Sequence, residues 1–103
     1  MINEENVQLF KALSEDTRYR IIKALLEVEL ASENQKYGNK GELCACELTI
    51  ALSNSQSTVS HHLSVLKNAG LIKERKEGKW SYFRLSDGEV IELLNQAQLL
   101  TDV

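Results

Sequence analysis

Apolar residues recur at helical spacing along most of the chain, switch to alternation near residue 71, and then return to a helical pattern. Val7, Phe10 and Leu13 lie three apart within residues 3–13, which predicts a first helix capped by Asn3. Ile21, Ile22, Leu25, Leu26 and Val28 mark a longer second helix, with Ser14 and Asp16 as the caps on offer. A short third helix runs from Cys46 to Leu52, and Ser53-Asn54 makes the turn after it. Ser55 caps a fourth helix that ends at Gly70, since glycine enters the left-handed conformation that closes a helix at no steric cost. Residues 71–85 alternate as a hairpin turning at Glu77-Gly78-Lys79. Ser86-Asp87-Gly88-Glu89 reads as a capping box opening a last helix through Val90, Ile91, Leu93, Leu94 and Ala97. The order α-α-α-α-β-β-α is that of a winged helix-turn-helix, mainly α with a small β-hairpin.

At 103 residues, 43% of them hydrophobic, the chain holds one domain spanning 1–103 and has no room for a second core. No apolar run approaches the roughly 18 residues of a membrane span. The opening Met1-Ile2-Asn3-Glu4-Glu5 lacks the basic and apolar regions of a signal peptide, so a cytoplasmic protein without a membrane partner is expected. The one polar, glycine-bearing connector is Ala31 to Gly41, where mobility is expected.

The net charge of −3 looks wrong for a nucleic-acid binder until it is divided along the chain. Between Ser55 and Leu85 six basic residues (Lys67, Lys73, Arg75, Lys76, Lys79, Arg84) face two acidic ones (Glu74, Glu77). Positive charge therefore collects where phosphate contacts are needed, and the acidic remainder would face away from DNA. On the fourth helix, Val59, Leu63 and Leu66 share one face while Ser57, His61, Ser64 and Asn68 share the opposite one. That outer face is polar and short-chained, which lets backbone approach base edges. Gln56, Ser57 and Thr58 form the first turn, the part that reaches deepest into a major groove, with Ser60 and Lys67 further along. Lys73, Arg75, Lys76 and Lys79 surround the hairpin tip and Arg84 follows it, placed to grip phosphates without reading sequence. Trp80, Tyr82 and Phe83 are expected to anchor the ribbon to the body rather than stack on bases. His61 and His62 point about 100° apart and do not chelate jointly; His61 suits DNA contact and His62 suits packing.

Two cysteines, Cys44 and Cys46, sit just before this helix-turn-helix. In a reducing compartment such a pair is a ligand or redox site more often than a staple. Side chains at i and i+2 of a helix lie about 200° apart, so a shared ion requires Cys44 to lie outside the helix and Cys46 at its start. The helix amino end is expected to lower the thiol pKa and favour the thiolate that soft ions need. The plainer alternative is two small buried hydrophobes. Reversible oxidation is a competing chemistry, and a small thiol oxidoreductase is the rival from another class, although no Cys-x-x-Cys or βαβ pattern accompanies the pair. A winged helix that binds only protein is a third option.

Several stretches resemble the ArsR/SmtB family of winged-helix metal-responsive repressors. Leu13-Ser14-Glu15-Asp16-Thr17-Arg18 is similar to the family's start of the second helix, and Glu42-Leu43-Cys44-Ala45-Cys46-Glu47-Leu48 to its ligand motif. Gln56-Ser57-Thr58-Val59-Ser60-His61-His62-Leu63 resembles its recognition helix, and Gly78-Lys79-Trp80-Ser81-Tyr82-Phe83-Arg84-Leu85 its wing. The resemblance implies a non-enzymatic homodimer built by the first and last helices, with no obligatory cofactor. It also implies binding to operator DNA, and release when Cys44 and Cys46 take arsenite, antimonite or a soft divalent metal. Thr49 stands where arsenic sensors of this type often carry a third cysteine, and residues 1–43 contain none. The family's alternative site on the last helix needs histidines that residues 87–103 lack.

Overall fold

The computed structural model describes residues 11–12, 14–32, 41–88 and 90–92. In chain order the elements are α1 (Asp16–Ser32), β1 (Leu43–Cys44), α2 (Ala45–Leu52), α3 (Gln56–Asn68), β2 (Ile72–Glu77) and β3 (Trp80–Leu85). Residues 11–12, 88 and 90–92 are also helical. The rest of the expected first and last helices lies outside the described residues, as does most of the 31–41 connector. The expected fold class holds, with one addition: β1 joins the hairpin in a three-stranded antiparallel sheet of order β1-β3-β2.

Local chemistry accounts for each boundary. The Glu15 carboxylate accepts the Arg18 amide at 3.0 Å, and its carbonyl accepts that of Tyr19, so Glu15 caps α1. Neither Ser14 nor Asp16 does so; the Ser14 hydroxyl donates backward to the Lys11 carbonyl. Ser55 caps α3 by accepting the Thr58 amide at 3.2 Å. At the far end Gly70 adopts φ +80°, and the Gly70 and Leu71 amides return to the Lys67 and Leu66 carbonyls. This paired closure satisfies the last carbonyls of α3 and turns the chain straight into β2. The final helix is capped by Asp87, whose Oδ1 accepts the Val90 amide at 2.9 Å. Ser86, one residue earlier than that cap, instead donates its hydroxyl to the Gly70 carbonyl.

Ile21, Ile22, Leu25 and Leu26 of α1, Leu48 of α2, and Val59, Leu63 and Leu66 of α3 meet Leu71, Ile72, Phe83 and Leu85 in one core. Full burial of each large aliphatic side chain contributes about 1.5–3 kcal/mol. The three-residue and four-residue spacing on α3 thus fixes which face of that helix is left for function.

Candidate functional site

Cys44 has extended backbone (φ −72°, ψ 148°) and plays three parts at once. It is the last residue of β1, the N-cap of α2 and a thiol. Its Sγ accepts the Cys46 amide at 3.4 Å, and its own amide donates to Glu47 Oε1 at 2.9 Å. This is a capping box in which sulfur replaces the usual hydroxyl oxygen. Because Cys44 is bent out of the helix, the two sulfurs converge to 2.7 Å instead of pointing apart. Two thiolates gripping one tetrahedral ion at about 2.3 Å each stand roughly 3.8 Å apart, so opening by about an ångström suffices.

Cys44 is buried and Cys46 exposed. The expected lowering of thiol pKa at the helix start is overturned for Cys46. Its hydrogen bond with Cys44 pushes the thiol above its ordinary value, helped by local desolvation and by the charge of Cys44. Two sulfurs this close disfavour a second negative charge. Among the described residues no group of three or more His, Cys, Asp or Glu is placed to hold a metal. Thr49 does not complete one, since its hydroxyl donates to the Ala45 carbonyl at 2.9 Å. Among the described residues Cys44 and Cys46 bring two soft sulfur donors to one place.

The thiol turn is tied to the wing. Leu43 pairs with Phe83 and Cys44 with Tyr82 in the β1–β3 ladder. One residue upstream, Glu42 accepts two bonds from Arg75, each 2.9 Å, and Arg75 also reaches Glu77 at 2.8 Å. The guanidinium lies over the Tyr82 ring at 4.7 Å. Arg75 thus fastens the cysteine turn to the wing. Lys67 is likewise paired with Glu74 at 2.9 Å and Arg84 with Glu29 at 3.1 Å. Lys73, Lys76 and Lys79 are exposed on the hairpin.

On α3, Gln56, Ser57, Thr58, Ser60, His61, Ser64 and Asn68 are all exposed. His62 turns inward, with Nδ1 3.3 Å from the Arg18 guanidinium and Nε2 3.7 Å from Glu15. The aromatic residues of the hairpin divide. Phe83 enters the core, Tyr82 carries Arg75, and Trp80 stays 48% exposed with the Lys79 ammonium 5.4 Å from its ring. Trp80 is therefore not an anchor. It borders a cavity of about 320 Å³ that both cysteines, Gln56, Ser60, Ser64 and Phe83 also line.

Residues 39–74 match the family described as bacterial regulatory protein, arsR family. An uncharacterised HTH-type transcriptional regulator of Methanocaldococcus jannaschii is 36% identical over 91 residues, covering 88% of this chain and 89% of that protein. The chain belongs to the ArsR family. The arsenical resistance operon repressor of Escherichia coli is 42% identical over 80 residues, which are 78% of this chain and 58% of that longer protein. The solution structure of a homodimeric winged helix-turn-helix DNA-binding domain from Mycobacterium bovis, a possible ArsR-family regulator, superposes with a TM-score of 0.76 at 25% identity. It covers 96% of this chain and 80% of that one.

As an ArsR-family chain this is a transcriptional regulator with a winged helix, and the oxidoreductase alternative falls away. Reading the sequence missed β1, the engagement of Arg75 by Glu42, and the cavity beside the sulfurs. A two-residue strand carries no periodicity to detect. The oppositely charged Glu42 and Arg75 are 33 positions apart, a separation at which charge pattern alone does not define a pair.

Proposed function

We propose that this chain is a cytoplasmic, homodimeric repressor. It binds operator DNA through α3 and the wing and is released when a thiophilic ion such as arsenite joins Cys44 to Cys46. The observation that carries this reading is the convergence of the two sulfurs on a residue that also caps α2 and pairs with the wing. Opening the sulfurs to hold an ion moves the N-cap of α2, the helix packed against α3, and moves the β3 partner of the same residue. The names of the arsenical relatives and the homodimeric neighbour support the inducer and the assembly. Gln56, Ser57, Thr58, Ser60, His61 and Ser64 face the groove in this reading. Lys73, Lys76 and Lys79 hold phosphates, while Lys67, Arg75 and Arg84 act there only by leaving their internal partners.

A duplex selected from a random pool by the reduced protein supplies the probe. Arsenite is expected to weaken its binding by tenfold or more, within the range of about 1–3 kcal/mol typical of coupled sites. Cys44→Ser with Cys46→Ser keeps duplex affinity within about twofold and loses the arsenite response. An unchanged wild-type affinity in arsenite defeats the reading. The 2.7 Å separation also favours a second one, reversible oxidation of the pair; release by a metal-free thiol oxidant and not by arsenite selects it.

A further inference from the structure

β2 departs from the usual division of a ribbon into an apolar inner face and a charged outer one. Its side chains alternate, with Ile72 buried, Lys73 exposed, Glu74 half-buried and Arg75 exposed, so a carboxylate shares the inward face with Ile72. We propose that Glu74 stands in for a DNA phosphate: it occupies Lys67 in the cleft between α3 and the wing until the backbone of a bound duplex draws that ammonium away. Glu74 thereby sets how tightly, and how steeply with salt, the chain holds DNA. The inference rests on the DNA-binding reading above and adds a brake to it.

Three observations meet in this cleft. Gln56, Ser60, Ser64 and Lys67 wall it from α3 and Lys79 and Ser81 from the hairpin, and Glu74 is the one carboxylate among its described lining residues. Ammonium, hydroxyl and amide groups are the donors that phosphate oxygens take. With α3 in a groove and the hairpin on phosphates, the backbone bordering that groove crosses this cleft. Second, Glu74 already receives what a phosphate would receive. The Lys67 ammonium donates to its Oε1 at 2.9 Å, and Ser81 hydrogen-bonds it as well. Those bonds hold the carboxyl below its ordinary value against the opposing pull of desolvation, so it is charged at neutral pH. Third, the partners differ in freedom: the Glu74 side chain is 16% exposed and that of Lys67 52%. The carboxylate is held in place, while the ammonium on its flexible four-carbon stem is able to swing to a phosphate. Leaving costs that ammonium an ion pair and brings the phosphate up against the bare Glu74 charge, and both effects weaken binding.

Affinity of the reduced full chain for the selected duplex, measured across a range of salt, tests the brake. Glu74→Gln is expected to tighten binding by about threefold or more and to steepen the salt slope by about one, because Lys67 then neutralises a phosphate without leaving a bare carboxylate behind. Glu74→Ala, which also loses the Ser81 bond, gives the same steepened slope and so separates charge from shape. Adding Lys67→Ala to Glu74→Gln returns affinity and slope to wild type. Glu27→Gln, the same change of net charge at an exposed position of α1 outside the cleft, changes neither. A slope that Glu74→Gln leaves unchanged, a gain that survives Lys67→Ala, or an equal gain in Glu27→Gln overturns the brake and leaves the DNA reading standing. Failure of the wild-type chain to select any duplex from the pool overturns both.

Discussion

The helix proposed to read DNA and the turn proposed to sense ions are neighbours held by different forces. α3 is fixed by three buried apolar side chains, Val59, Leu63 and Leu66, and by hydroxyl and glycine closures at its two ends. The turn at residues 42–46 is fastened by a carboxylate–guanidinium clamp, a sulfur cap and a two-residue ladder. Apolar burial is insensitive to small changes in medium, whereas the clamp answers to salt and pH and the cap to whatever attaches to sulfur. A sensor has to be the softer of the two regions, and here the softness is built from chemically addressable contacts. In the proposed mechanism the rigid helix transmits displacement without distorting.

The largest expected effect tests the rigid side. Leu66→Ala empties a fully buried position and costs about 2–5 kcal/mol of stability, read as a lower denaturation midpoint. A cost below about 1 kcal/mol breaks the contrast, since α3 is then held by something other than its apolar face. Next comes Gly41, which leads into the turn at φ +71° against α1. A Cβ there collides with the Glu29 carboxylate and comes within 3.3 Å of the Glu29 Cα. Gly41→Ala is expected to cost roughly 1–3 kcal/mol through that clash and the positive φ. Thermal melting of the variant checks it, and a wild-type melting temperature rejects it.

A smaller effect separates the wing's two kinds of basic residue. Lys76→Ala is expected to leave stability within about 0.5 kcal/mol and to reduce the salt slope of duplex binding by about one. Arg75→Ala is expected to do the reverse, lowering the melting temperature slightly with the slope nearly unchanged, because its guanidinium is occupied by Glu42 and Glu77. Equal slopes for the two variants erase the distinction between clamp and grip.

Much of this was readable from residue order because it rests on local rules. Val59, Leu63 and Leu66 declare one face of a helix, Ser55 and Gly70 declare its ends, and alternation across Gly78 declares the hairpin. The angular step between i and i+2 positions also set the condition for a shared ion, Cys44 outside the helix, and that is where Cys44 lies. What stayed hidden depends on contacts between distant positions or on competition between equal candidates. Glu15, Ser14 and Asp16 all make plausible caps, and the choice falls to Glu15 once Ser14 is engaged by Lys11. The raised pKa of Cys46 depends on a sulfur 2.7 Å away, which outweighs the helix end. Trp80 looks like an anchor by composition, yet Phe83 on the same strand takes the core position and leaves Trp80 to the cavity.

The smallest expected effect concerns the clamp itself and fixes its sign with pH. The hydrogen bonds and charge of Arg75 hold the Glu42 carboxyl below its ordinary value against the opposing pull of partial burial. A carboxyl with a depressed folded-state pKa contributes stability that is fully present above its unfolded pKa of about 4.3. That contribution fades as pH falls through the lower folded value. Glu42→Gln is therefore expected to lower the melting temperature slightly at pH 7, by the equivalent of at most about 1 kcal/mol because Arg75 is partly solvated. Wild type and variant should converge as pH drops below about 4, and the gap at pH 7 should shrink in high salt. A gap that widens in acid contradicts the sign of the clamp. A gap indifferent to salt means that Glu42 holds the turn by shape rather than by charge, and the soft side of the molecule then lies in the sulfur cap alone.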